Sequence, residues 1–384
     1  MIKRFFTPSE QSFFLFGPRG TGKSTWCRVS FPDALYIDLL DPHTCRIYLS
    51  NPNRLRELID GNPEKKSVII DEVQRVPAVL PLVHKIIEEK RGIQFVITGS
   101  SSRKLKREGI DLLAGRAIMK VMHPFMAAEL ETAFSLESAL EYGMVPLVVD
   151  SDNLNNVLKT YISLYIREEV QFEGLVRNVG DFARFLEAVS FSHGSVLNIS
   201  NIARDCMVGR KTVESYINIL TDLLIAWKIP VFTKRAKRNT VPHPKFYLFD
   251  SGVYKSLRPS GPLDRPEEIG GMALEGLVAQ HLKAWIDYSH QDLALYYWRT
   301  KSGTEVDFII YGAECFTAIE VKNSNRIRAG DLRGLKTFLK NYPEASALLL
   351  YRGNEKLKID TILCVPCEEF LLQLLPGRVF PDKL

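Results

Sequence analysis

The chain has 384 residues, 46% of them hydrophobic and 25% charged, with a formal net charge of +5. That length exceeds one small domain, and the composition excludes a disordered, collagenous or polycationic protein. No run reaches the roughly 18–20 apolar residues of a membrane-crossing helix, and the first residues lack a signal-peptide layout, so the expected location is the cytoplasm with no membrane partner.

Residues 12–125 alternate apolar runs with helical stretches; the expected strands are Phe13–Phe16, Leu35–Asp38, Val68–Asp71, Phe95–Thr98 and Ile118–Val121. This alternation predicts an α/β fold with a parallel sheet covered on both faces, ended by His123-Pro124. The expected ATPase core spans residues 1–125.

Gly17-Pro18-Arg19-Gly20-Thr21-Gly22-Lys23-Ser24 fits GxxxxGK[ST] and stands between an apolar strand and a helix, as the motif requires. Glycines let the backbone wrap phosphates, so that N–H groups at a helix N-terminus point inward. Lys23 brings positive charge to the β- and γ-phosphates, and the Ser24 hydroxyl suits Mg²⁺, with Thr25 beside it. The expected ligands are therefore ATP and Mg²⁺. The strand Val68–Asp71 runs into Glu72, two acids that suit Mg²⁺ binding (Asp71) and polarisation of the attacking water (Glu72). Thr98 and Ser100 close a further strand with hydroxyls.

Residues 126–190 read as a helical lid or linker, with Leu154, Leu158, Tyr161, Ile162 and Tyr165 at helical spacing. Residues 191–258 form the next block. There Asn198–Cys206 and Gly209–Leu220 read as two helices joined by a short turn, the second exposing Arg210, Lys211, Glu214 and Asn218. Strand-like Ala226–Phe232, the cations Lys234, Arg235, Lys237 and Arg238, and strand-like Tyr247–Asp250 complete a winged helix with a basic wing. Such a module binds DNA through its second helix and wing, and it also serves purely for packing.

Ser260-Gly-Pro reads as a linker into the last block, residues 259–384. Glu275 lies on a predicted helix, and Tyr296–Arg299, Glu305–Ile310 and Phe316–Lys322 read as strands. Glu320 and Lys322, two apart on a strand, share a face, and Asp307 on the neighbouring strand converges with them. Carboxylates of this kind bind Mg²⁺, and the lysine orients a water for phosphodiester attack; Glu275 would complete the metal shell. A structural acid–base pair on a half-exposed strand is the alternative. The six cysteines are scattered, and Cys364-Val-Pro-Cys367, a lone CxxC without a second ligand pair, reads as structural.

Gly17–Thr25, the stretch VIIDEVQRVP (Val68–Pro77), Thr98–Arg116, Lys245–Gly252 and the EVDF and IEVK strands together resemble the AAA-14/DUF4143 ATPases, within the wider AAA+ and STAND groups. The resemblance covers essentially the whole chain. It implies an N-terminal ATPase, a winged helix and a C-terminal domain of PD-(D/E)XK nuclease type. The chain departs from the nuclease pattern in lacking a separate proline–aspartate pair, so Asp307 alone stands for it. By analogy with AAA+ ATPases, Thr98 or Ser100 sits between the acids and the γ-phosphate. Arg116, with Arg103 as second candidate, would be an arginine finger aimed at a neighbour's nucleotide, which implies self-association, a hexamer by analogy. The expectation is an ATPase acting on DNA with Mg²⁺-dependent cleavage; the alternative is a nucleotide-controlled switch whose C-terminal domain binds without cutting.

Overall fold

The computed structural model describes residues 2–100, 116–166, 178–233 and 243–381. Two units, each described by itself, divide the chain: Phe6–His123 with Asp222–Leu224, and Met1–Phe5, Pro124–Thr221 and Ile225–Leu384.

In the first unit, β1 (Phe13–Phe16), β2 (Leu35–Asp38), β3 (Ser67–Asp71), β4 (Gln94–Gly99) and β5 (Ile118–Val121) form a five-stranded sheet in the order β2-β3-β4-β1-β5. Every adjacent pair is parallel. The unbroken apolar runs follow from this, because helices cover both faces of a parallel sheet and leave no solvent side for polar alternation. The helices are α1 (Lys23–Ser30), α2 (Pro42–Ser50), α3 (Arg54–Asp60) and α4 (Leu80–Glu88). Asp41 starts α2 by accepting the Thr44 N–H, with Pro42 at the first helical position, where no N–H is needed. Phe14, Phe16, Ile37, Ile70, Val83 and Phe95 join one core.

The strand order positions the site. Because β4 lies between β1 and β3, its carboxyl end stands between the loop leaving β1 and the acids ending β3. Ligands of open parallel sheets bind at this edge.

The second unit opens with short helices, Ala127–Leu130, α5 (Leu136–Tyr142), Pro146–Val149 and Leu154–Thr160, the last continuing into the π-helical turn Tyr161–Ile166. Then come α6 (Val179–Ser190), β6 (Ser195–Val196), α7 (Ile199–Cys206), α8 (Arg210–Asp222), β7 (Ala226–Ile229) and β8 (Lys245–Leu248). The strands pair antiparallel in the order β6-β8-β7, which is winged-helix connectivity. Asn198 caps α7 through the Asn201 N–H, and Met207 ends it in the left-handed region.

Two expected strands end differently. The run through Phe232 stops at Ile229, because Pro230 has no N–H for the ladder. Residues 230–232 instead pair with Tyr297, whose N–H donates to the Pro230 carbonyl at 3.1 Å. Phe232 then packs against Tyr296, Tyr311, Phe316 and Phe338. The run Tyr247–Asp250 is shifted to Lys245–Leu248, since the Asp250 carboxylate accepts the Val253 N–H and starts α9 (Ser251–Leu257).

Next come the 24-residue α10 (Pro266–Ser289), β9 (Leu293–Arg299), β10 (Glu305–Gly312), β11 (Phe316–Lys322), α11 (Arg333–Asn341), β12 (Ser346–Tyr351), β13 (Leu357–Ile359), β14 (Ile362–Pro366) and α12 (Cys367–Gln373). The six-stranded sheet runs β13-β14-β12-β11-β10-β9, antiparallel from β9 to β11 and parallel from β11 through β12 to β14. Helix, three antiparallel strands, helix and parallel strand is the nuclease-like order. Cys364 and Cys367 are free thiols buried where β14 enters α12. Burial pushes them up to about 11 and about 12. Among the described residues no helix is long and apolar enough to cross a membrane.

Candidate nucleotide site and carboxylate–lysine cluster

The loop leaving β1 is built for close approach. Gly20 and Gly22 take φ of 80° and 87°, a region that side chains other than glycine's rarely adopt. A Cβ on Gly17 would lie 2.5 Å from the Met122 carbonyl oxygen. The loop feeds α1, which has neither a side-chain cap nor an acid in its first turn, so its leading N–H groups face the loop without a competing carboxylate. Lys23 is buried, and its Nζ donates to the carbonyls of Gly17 at 2.7 Å and Pro18 at 3.1 Å. Thr21 is buried and donates to the Pro18 carbonyl at 2.8 Å. Pro18 is buried, Arg19, Gly20, Gly22 and Ser24 are half-buried, and Thr25 is exposed. This cradle fits a triphosphate.

Asp71 at the end of β3 accepts hydrogen bonds from the Tyr36 and Thr98 hydroxyls, one on each oxygen. Thr98 also accepts the Glu72 N–H at 3.0 Å. Glu72 stands at φ 59° and ψ 49°, a strained conformation for a residue with a Cβ, and such strain clusters at active sites. Gln74, 2% exposed, donates from Nε2 to Glu72 Oε2 at 2.5 Å and to Ser100 Oγ at 3.1 Å. Each Asp71 oxygen keeps lone pairs for an ion, so Ser24 and Asp71 fit Mg²⁺.

Thr98 therefore meets Asp71 and the Glu72 N–H directly, and Ser100 is joined to Glu72 through Gln74. Tyr36 and Gln74 are additions. Gln74 had a visible signal, a polar residue two after the acids in a segment otherwise apolar at Val73 and Val76. Arg116 precedes β5 at the amino edge of the sheet, opposite the loop, and its guanidinium pairs with Glu88 at the end of α4. It does not serve its own subunit's loop from there. Arg103 lies outside the described residues.

In the second unit, α8 presents Arg210, Lys211, Glu214, Ser215 and Asn218 to solvent, while Val213, Tyr216, Ile217 and Leu220 are buried. Lys234, Arg235, Lys237 and Arg238 lie outside the described residues.

Asp307, Glu320, Lys322 and Glu275 do converge, with one residue at their centre that was not expected there. Lys245 of β8, 2% exposed, places Nζ 3.0 Å from Glu275 Oε1, 2.6 Å from Glu305 Oε1 and 3.3 Å from Asp307 Oδ1. Tyr247, two residues on and on the same strand face, donates to Glu275 Oε1 at 2.6 Å. The other Asp307 oxygen accepts the Val321 N–H at 2.9 Å; Asp307 sits where the β9–β10 register shifts. Lys322 Nζ is 2.5 Å from Glu320 Oε1. Burial depresses the Lys245 pKa, but Glu275, Tyr247, Asp307 and Glu305 raise it well above the usual lysine value. Burial and then Asp307 raise Glu275 to about 7 and Glu320 to about 8.

This set does not fit Mg²⁺. The position among these carboxylates is taken by the Lys245 ammonium, which bonds to Glu275 and Asp307 and lies 2.6 Å from Glu305. Among the described residues no group of three or more His, Cys, Asp or Glu is placed to hold a metal ion. Metal ligation by Glu275, Asp307 and Glu320, with Lys322 activating water, was expected; the observed contacts are of Glu275 and Asp307 with Lys245 and of Glu320 with Lys322. The missed signal was Lys245 itself, a lysine opening the apolar run Phe246–Phe249.

The sheet order and the loop after β1 define an AAA-type P-loop protein. Residues 9–131 match the AAA domain family AAA_14, residues 133–264 a domain of unknown function (DUF8612), and residues 270–370 another domain of unknown function (DUF4143). The chain thus carries stretches that match the AAA_14 and DUF4143 domain models together. Uncharacterized proteins of Mycobacterium tuberculosis and Mycobacterium bovis are each 24% identical over 369 residues, spanning 93% of this chain and 80% of theirs. Among solved structures, the ORC2 protein of Aeropyrum pernix in its ADP form is 13% identical over 70% of this chain and 88% of its own, with a TM-score of 0.30. AMPPCP-bound DnaA of Aquifex aeolicus is 11% identical over 55% of this chain and 82% of its own, with a TM-score of 0.25.

Proposed function

We propose that this chain is an ATP-hydrolysing P-loop ATPase that acts on DNA. The observation that carries the reading is the hydrogen-bonded set Asp71, Thr98, Glu72, Gln74 and Ser100 on the strands beside the phosphate loop. Gly17–Ser24 hold the triphosphate, and Lys23 leaves its loop carbonyls for the phosphates. Mg²⁺ on Ser24 and Asp71 would neutralise phosphate charge. Glu72 orients and polarises the attacking water, and Thr98 and Ser100 fix its neighbours. Arg116 acts on a neighbouring subunit's nucleotide in a ring, a hexamer by analogy. The exposed cations Arg210 and Lys211 at the start of α8 supply the DNA contact, together with the basic segment 234–238.

A specific observation favours the switch-like version, in which the C-terminal domain does not cut: Lys245 stands among the carboxylates where a nuclease would hold its metal. The test is ATP hydrolysis by wild type and Glu72→Gln, without DNA and with single-stranded, duplex and branched DNA. Stimulation by one of these, lost in Glu72→Gln while ATP binding persists, supports the reading. Rates indifferent to every DNA remove the DNA half of it. Mg²⁺-dependent cleavage by wild type, absent in Asp307→Ala, would restore the nuclease.

A further inference from the structure

Nuclease-like sheets that cut use carboxylates on adjacent strands to hold a divalent cation. Here Glu275 of α10, Glu305 and Asp307 of β10 surround a single charged atom, Lys245 Nζ, at 3.0, 2.6 and 3.3 Å. The ammonium donates hydrogen bonds to Glu275 and Asp307 and forms a third ion pair with Glu305.

The lysine is not a stray surface chain. It sits on β8, the central strand of the β6-β8-β7 sheet, and the same strand face delivers Tyr247 to Glu275. The Tyr297 ring lies 5.7 Å from the ammonium, and Tyr297 donates from its hydroxyl to the His243 carbonyl at 2.5 Å. His193, also buried, accepts the Leu248 N–H at 3.1 Å and holds the other end of β8. Removing a lysine so placed would leave carboxylates buried without their counter-charge.

We infer that Lys245 is the resident cation of this domain: its ammonium permanently takes the position among Glu275, Glu305 and Asp307 that a divalent metal would take. The carboxylates gather around one cation, and that cation is a side chain donated from the winged-helix segment. Two consequences follow. The wild-type chain takes up no divalent ion at Asp307, and the carboxylates become metal-competent once the ammonium is replaced by a neutral group of similar volume. Neither depends on what the ATPase domain does.

The test is Mn²⁺ titration of the full chain without nucleotide, read by calorimetry and by the paramagnetic signal of free Mn²⁺. Four proteins are compared: wild type, Asp307→Asn, Lys245→Met and the double variant. Wild type and Asp307→Asn should bind Mn²⁺ alike. Lys245→Met should gain Mn²⁺ affinity by about tenfold or more, corresponding to the loss of one buried counter-charge, and the double variant should lose that gain. Wild-type Mn²⁺ binding that Asp307→Asn abolishes overturns the inference, as does a folded Lys245→Met that gains none. If Lys245→Met does not fold, the comparison of wild type with Asp307→Asn still decides: equal binding upholds the resident lysine, and unequal binding ends it.

Discussion

Gln74 Nε2 lies 2.5 Å from Glu72 Oε2 and 3.1 Å from Ser100 Oγ, so one buried amide joins the acid after β3 to the hydroxyl after β4. Glu72 has a left-handed backbone, and its carboxylate would otherwise be free to rotate. Gln74→Leu should therefore lower kcat for ATP hydrolysis about tenfold, the value of one charge-assisted hydrogen bond, with KM for ATP nearly unchanged. Steady-state kinetics check this. A rise in KM with constant kcat would assign Gln74 to binding instead.

Arg116 is paired with Glu88 on the amino edge of the sheet. If it completes a neighbour's site, wild-type activity per subunit rises with protein concentration. Arg116→Ala should then lower the plateau by about 10²–10³ without weakening ATP binding. Glu88→Gln, which removes the Glu88 pairing, should leave the plateau near the wild-type level. Equal, small losses of thermal stability in both variants with unchanged kcat would show a structural pair only.

His281 accepts the Ala127 N–H on Nε2 and lies 2.8 Å from the Leu277 carbonyl through Nδ1, an arrangement that requires the neutral ring. Burial lowers it to about 4. Its folded pKa is below the unfolded value, so the stability it contributes is present above about pH 6.5 and is lost as pH falls towards 4. Glu275 and Glu320 are shifted upward, to about 7 and 8, and press the opposite way, favouring the folded state as pH falls. The histidine is thus read as a difference. Between pH 6 and 5, denaturant unfolding of wild type should lose about 1 kcal/mol per pH unit more than His281→Gln does. Parallel curves would refute the neutral assignment.

Arg210 and Lys211 open α8 on its exposed side. If they touch phosphates, Arg210→Ala with Lys211→Ala should reduce the slope of log affinity against log salt by about 2. Fluorescence anisotropy with duplex DNA measures it. An unchanged slope would move the DNA contact elsewhere.

The phosphate loop was legible because its chemistry sits in eight contiguous residues, and the buried strands because a parallel sheet demands unbroken apolar runs. What the sequence hid is long-range. Gln74 meets Ser100 across 26 residues only because β4 inserts beside β3. Lys245 meets Glu275 and Asp307 across 30 and 62 residues, through a strand whose start was expected later. The departure of residues 230–232 from the small sheet was readable in Pro230, and its destination beside Tyr297 was not.

The seam between the matched domains, at residues 264 to 270, is crossed by Lys245 and Tyr247 reaching into the acids beyond it. A fragment beginning at Pro266 would lack the Lys245 ammonium and the Tyr247 hydroxyl that meet Glu275 and Asp307 in the whole chain. Exchange of either half for an unrelated module would forfeit these bonds, which ties the winged helix to the C-terminal sheet as a heritable unit.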